Sequence, residues 1–204
     1  MGCYQCALSK RGQQNYILDM FIQTEVTPNP QTLKFLPGEV VMSEGVAEFL
    51  TPESANGQSP LAERLFAVSG VKSVFFGSDF ISVTKSDDVE WADIKTFILG
   101  VLFEQFSMKK PVMVSVQSDA ASVGEETDTT RKIRELLDAR VRPAVAKDGG
   151  DIVFHSFDKG IVFLKMRGAC AGCPSSTMTL KMGIENMLRH YIPEVLEVRA
   201  VADY

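Results

Sequence analysis

Histidine is scarce in this 204-residue sequence, with two residues, and cysteine is limited to four. Four cysteines are too few for the disulfide framework of a small secreted domain. Their grouping as two Cys-x-x-Cys pairs, Cys3/Cys6 and Cys170/Cys173, fits sulfur used for chemistry in a reducing compartment. Long apolar runs are also missing: none approaches the roughly 20 residues of a membrane helix, so no membrane partner is expected. Positive charge is in deficit, 21 Lys and Arg against 26 Asp and Glu, for a net charge of −5. That balance argues against binding nucleic acid through a basic surface. No apolar stretch near the start reads as a secretion signal. Met1-Gly2-Cys3 opens like a myristoylation site but has Cys6 where Ser or Thr is required.

What is present divides into two α+β units. Residues 1–19 carry little apolar periodicity and read as an N-terminal extension without a fold of its own, with Cys3 and Cys6 on it. Residues 20–112 form the first unit. Phe21–Val26 and Leu33–Leu36 read as strands separated by the turn residues Thr27-Pro28-Asn29-Pro30, and Val40–Met42 as a short third strand. Ser59-Pro60 starts a helix that ends at Gly70. Val71–Phe76 and Phe80–Thr84 form a hairpin, and Ile94, Phe97, Ile98, Val101, Leu102 and Phe106 mark the inward stripe of a second helix. Val112–Val116 reads as an edge strand or the start of the linker. Residues 113–129, poor in apolar side chains and rich in Ser, Asp, Glu, Thr and Gly from Gln117 onward, read as a flexible tether. Residues 130–204 form the second unit, with order α-β-β-α-β. Its first helix is capped by Thr130 and lined by Ile133, Leu136, Leu137, Val141, Ala144 and Val145, and Pro143 should bend or break it. Asp148-Gly149-Gly150-Asp151 is a helix stop. Strands over Ile152–Phe157 and Ile161–Met166 precede the cysteine turn. A helix with Leu180, Ile184, Met187, Leu188 and Tyr191 on one face and a last strand over Val195–Val201 follow it.

The turn itself, Gly168-Ala169-Cys170-Ala171-Gly172-Cys173-Pro174, places two thiols between a strand and a helix. Small residues let the backbone approach a ligand closely, and a helix N-terminus favours thiolates, the form that binds metal or attacks a disulfide. Four readings compete. Two small buried residues is the bland one, and a turn of Ala and Gly offers them little apolar surroundings. A structural zinc site needs two more ligands; Cys3/Cys6 lie a whole unit away, and His155 and His190 read as a strand residue and a solvated helix residue. A thiol–disulfide oxidoreductase has the spacing but lacks the βαβ context of thioredoxin-like folds. An iron–sulfur cluster takes four thiolates, which two copies related by a two-fold axis would supply.

At these residues the sequence resembles a known family. The segment from Asp148-Gly149-Gly150-Asp151 through Cys170-Ala171-Gly172-Cys173-Pro174-Ser175-Ser176 to Gly183-Ile184-Glu185 is similar to the C-terminal domain of NifU-like (Nfu) proteins. Phe21–Glu25, Thr27–Pro30, Thr32–Phe35, Ser59–Ala62 and Val74–Gly77 resemble the Nfu N-terminal domain. The resemblance implies a non-enzymatic scaffold or carrier, in which Cys170 and Cys173 of two subunits hold a [4Fe–4S] cluster. Implied partners are upstream assembly factors, a second copy of the chain, and the apo-proteins that receive the cluster by ligand exchange. Cys3 and Cys6 fall outside the family pattern. The family occurs in bacteria and mitochondria; in the absence of a strong transit peptide the bacterial cytoplasm is expected, with the mitochondrial matrix as the alternative.

Overall fold

A computed structural model describes residues 21–114, 127–171 and 174–201, without the side chains of 174–177. The extension with Cys3 and Cys6, most of the expected tether, and Cys173 lie outside the described residues. The first unit runs β1 (Gln23–Val26), β2 (Thr32–Leu36), β3 (Ala47–Phe49), α1 (Pro52–Ala55), α2 (Pro60–Phe66), β4 (Val71–Phe76), β5 (Ile81–Lys85) and α3 (Trp91–Ser107). Its strands make a five-stranded antiparallel sheet in the order β1-β2-β5-β4-β3. The alternation of side chains along each strand sends Leu33, Phe35, Phe49, Val74, Phe76, Ile81 and Val83 to one face, where they form a core with Leu61 and Leu65 of α2 and Ile98 and Leu102 of α3.

The second unit follows as α4 (Asp128–Leu136), a π-helical turn (Leu137–Val141), α5 (Arg142–Lys147), β6 (Gly150–Asp158), β7 (Ile161–Gly168), α6 (Pro174–Tyr191) and β8 (Glu197–Val201). The α-β-β-α-β order holds, with its first helix divided. Strand β7 pairs antiparallel with β6 and parallel with β8, and the parallel pairing uses α6 as its crossover. Pro143 explains the π turn. Its ring would press on the carbonyl four residues back, and the wider turn, with the Arg142 N–H reaching Leu137 O, relieves that crowding. Ile133, Leu137, Val145, Ile152, Leu164, Ile184, Leu188 and Val198 make a separate core.

Several local expectations are corrected. Val41 and Met42 are buried but make no strand; their N–H groups donate to Ser78 O at 2.8 and 3.2 Å, and the third strand is Ala47–Phe49. Residues 112–114 are no edge strand either; Val112 and Met113 pack on the first core, and Ser59 Oγ donates to Val112 O at 2.6 Å. Thr127, not Thr130, caps α4, accepting from Thr130 N. Ala144 and Tyr191 are exposed, and so is Phe97, at 66%. Helical spacing assigned Phe97 to the core beside Ile98, but the sheet below α3 is filled by Ile94, Ile98 and Leu102. Leu102→Ala should therefore cost about 2–5 kcal/mol in denaturant unfolding of the first unit. Phe97→Ala should stay within about 0.5 kcal/mol. Equal losses would contradict this assignment of the inward face.

Candidate functional site

The cysteine turn grows out of the paired ends of β6 and β7, where Gly150 lies opposite Gly168. Ala169 N donates to Gly149 O at 3.1 Å and Ala171 N to Gly168 O at 3.0 Å, so the chain folds back on itself at once. This tightness needs glycine. A Cβ on Gly150 would lie 2.5 Å from Cys170 Sγ, 2.7 Å from Arg167 O and 2.9 Å from Cys170 N. Gly168 has φ +61°, in the left-handed region. The glycines thus admit the sulfur and the protein around it, where the sequence suggested room for a ligand.

Cys170 is only 6% exposed and belongs to the second core. That corrects two expectations at once: the turn does have apolar surroundings, and the thiol is not poised as a thiolate. Burial pushes it up to about 12 from an ordinary 9.0, with the carboxylates of Asp148, Asp151 and Glu48 adding to the effect in that order. Any pull from the N-terminus of α6 is outweighed. Asp151, itself buried, is held by Arg142, whose Nε and Nη2 donate to its two oxygens at 2.8 and 3.0 Å. That bond raises the Arg142 pKa, with Asp138 adding to it. The π turn stands directly before α5 and so delivers Arg142, the first residue of that helix, to this pair.

Glu48 comes from the other unit, and it is not alone. On the sheet face opposite the first core, Glu25, Lys34, Ser82, Phe75 and Glu48 are successive cross-strand partners across all five strands. Four members of this row touch the second unit. Lys34 Nζ donates to Lys147 O at 3.1 Å, meeting a carbonyl that the end of α5 leaves over. Ser82 Oγ donates to Gly149 O at 2.6 Å. The Phe75 ring lies 3.0 Å from where a Cβ on Gly168 would sit. Glu48 Oε1 accepts from Gly168 N at 2.8 Å, and its other oxygen is 3.8 Å from Arg167 Nε. Beyond the row, Asn29 Nδ2 donates to Ala171 O at 3.2 Å. Beside the contact a cleft of about 220 Å³ opens between Phe75, Ser78 and Phe80 on one side and Arg142, Pro143 and Asp151 on the other.

Sequence reading missed this row. Lys34 and Ser82, each between two core residues, look like solvent-facing positions, yet they are 7% and 1% exposed. The one signal was Val74-Phe75-Phe76, an unbroken apolar run of the kind that marks a strand covered on both faces. His155 is exposed at a bulge in β6 and His190 is exposed on α6, so neither joins the site. Among the described residues no three of His, Cys, Asp and Glu gather to hold a metal.

A cysteine turn between strand and helix, carried by one α+β unit and covered by another, defines a protein of two α+β units. Residues 22–109 match the model described as "Scaffold protein Nfu/NifU N terminal", and residues 133–199 match "NifU-like domain". The chain is 48% identical over 186 residues to a Drosophila willistoni protein named "NFU1 iron-sulfur cluster scaffold homolog, mitochondrial", an overlap of 90% of this chain and 64% of that one. It is 50% identical over 190 residues to "NifU-like protein 4, mitochondrial" of Arabidopsis thaliana, over 90% of this chain and 67% of the relative. It spans about two thirds of the length of these relatives. The chain belongs to the NifU-like (Nfu) family.

The geometry makes Gly150, packed against the cysteine turn, hard to replace. Gly150→Ala should destabilise the second unit by about 1–3 kcal/mol in denaturant unfolding, because two of the atoms its methyl would meet are backbone. A neutral substitution would show that the β6–β7 end is not packed this tightly.

Proposed function

We propose that this chain is a scaffold and carrier for an iron–sulfur cluster, with no enzymatic step of its own. The cargo is a [4Fe–4S] cluster held between two copies by Cys170 and Cys173 of each, and it is passed to apo-proteins by thiolate-for-thiolate exchange. The observation that carries the reading is Cys170 two residues past β7, on the segment that matches the NifU-like domain, three positions before a second cysteine. One chain brings two thiols to a group that normally takes four, and a two-fold axis completes the set. The names of the similar proteins, one an iron–sulfur cluster scaffold homolog, favour the same reading. Their names also favour the mitochondrion. The mitochondrial matrix therefore replaces the bacterial cytoplasm as the compartment we infer.

This chain's own part is to present Cys170 and to give up its proton. A thiol buried as Cys170 is makes a poor attacking nucleophile at neutral pH, which counts against the thiol–disulfide oxidoreductase alternative. Iron changes that balance, because coordination by a cation drives the proton off a thiol that would otherwise keep it. Residues 113–129 serve in this reading as the tether that lets the two units separate while Cys170 is engaged, and Cys3 and Cys6 have no part.

Anaerobic reconstitution with iron counting and sedimentation tests the proposal. The expected product is a coloured dimer with about two irons per chain, and Cys170→Ser should lose stable iron. Four irons on a monomer, or a colourless chain that cycles Cys170 and Cys173 between dithiol and disulfide, would overturn it.

A further inference from the structure

We propose that the cross-strand row Lys34–Ser82–Phe75–Glu48 is a docking surface for this chain's own cysteine turn, so that the first unit covers the turn and competes with the second copy for it. The inference rests on the cluster-carrier reading above. Its evidence is separate from that reading.

The row fits the turn group by group. Three consecutive strand neighbours address the open end of the β6–β7 hairpin: a leftover helix carbonyl at Lys147 and the Gly149 carbonyl in the α5–β6 turn, and the flat backbone at Gly168, where the cysteine turn begins, against which Phe75 packs. The fourth, Glu48, takes the Gly168 N–H and faces the Arg167 guanidinium, with both side chains about nine-tenths buried. Asn29 closes the far side at Ala171 O. A solvent-facing strand row has no reason to hold a buried lysine, serine and glutamate unless something complementary covers it. The complement here is the cysteine turn together with the α5–β6 turn beside it, and glycines are what let the two fit: a Cβ on Gly149 would lie 2.8 Å from Ser82 Oγ.

Covering has a consequence for loading. Cys170 lies in the second core, and Arg167, Gly168 and Ala171 around it are engaged by Glu48 and Asn29 of the first unit. A cluster bridging two copies needs the partner's thiolates to reach this same turn, and the row occupies that approach. The first unit must leave before the second copy can enter. Charge acts in the same direction, since a [4Fe–4S] cluster with four thiolates is a net anion and would face the Glu48 carboxylate as a like charge. The cover therefore fits the iron-free turn and is disfavoured by the loaded one.

The test uses the full chain without iron. Iodoacetamide alkylation is followed at Cys170 by mass spectrometry of the peptide, in the parent, Glu48→Ala and Ser82→Ala. Glu48→Ala should speed labelling of Cys170 by about tenfold or more, the effect expected from losing one hydrogen bond to a charged group. Ser82→Ala, which leaves the charges around Cys170 unchanged, should speed it by less but by more than about twofold; acceleration confined to the Glu48 variants would be the lost carboxylate acting on the thiol and would overturn the cover. Glu48→Gln keeps the shape and the acceptor for Gly168 N, so it separates undocking from misfolding: its labelling should fall between the parent and Glu48→Ala with the circular dichroism unchanged. On anaerobic loading, Glu48→Ala should take up iron faster than the parent and reach the same final content. Labelling within twofold of the parent in all three variants would overturn the cover, and so would faster labelling without faster loading. A parent that binds no iron while the labelling series behaves as described would instead overturn the carrier reading and leave the docking surface standing.

Discussion

Everything at the functional end of this molecule depends on how closely two backbones approach at the end of the β6–β7 hairpin. Gly150 leaves room for the Cys170 sulfur inside the second unit, and Gly149 and Gly168 leave room for Ser82 and Phe75 of the first. A methyl group at any of the three would separate surfaces that now touch. The same small region thus serves as strand end, thiol pocket and docking surface. That is why Asp148-Gly149-Gly150-Asp151 and Gly168, far apart in sequence, act as one structural feature.

Much of this was legible from residue pattern. Alternation located β2, and two apolar, β-branched runs around a turn located β4 and β5. Pro143 announced an interruption that appears as a π turn, and the α-β-β-α-β order placed the cysteines at the strand-to-helix junction. What the pattern could not show is which outward-facing residues have a partner. Lys34 and Ser82 alternate with core residues as solvent-facing positions do, and only the second unit reveals that they are covered. The burial of Cys170 escaped for a similar reason. Its neighbours in sequence are Ala and Gly, while its neighbours in space include Gly150 and the core behind it. Phe97 shows the converse error, since three-and-four spacing around α3 describes a stripe wider than the sheet beneath it can bury.

In the carrier role we propose, two demands fall on one sulfur. A cluster ligand has to give up its proton and meet a second subunit, while a thiol kept apart from oxidants has to be dry and protonated. Burial with three carboxylates nearby satisfies the second demand in the iron-free chain. Only a change in what covers the turn satisfies the first. An Nfu chain of two units can separate the two states by moving one unit, without refolding the domain that carries the cysteines. The first unit, which brings Glu48 but no cysteine or histidine among the described residues to the turn, gains a role in this picture that needs no metal ligand of its own.

The most direct measurement is residue-resolved hydrogen exchange at the Gly168 amide. In the docked chain this N–H donates to the Glu48 carboxylate of the other unit, so its protection reports the contact between units. The account predicts a Gly168 amide protected in the iron-free chain well beyond an open loop, and that protection lost when a cluster is bound. An amide exchanging at the open-loop rate without iron, or equally protected in both states, would contradict it.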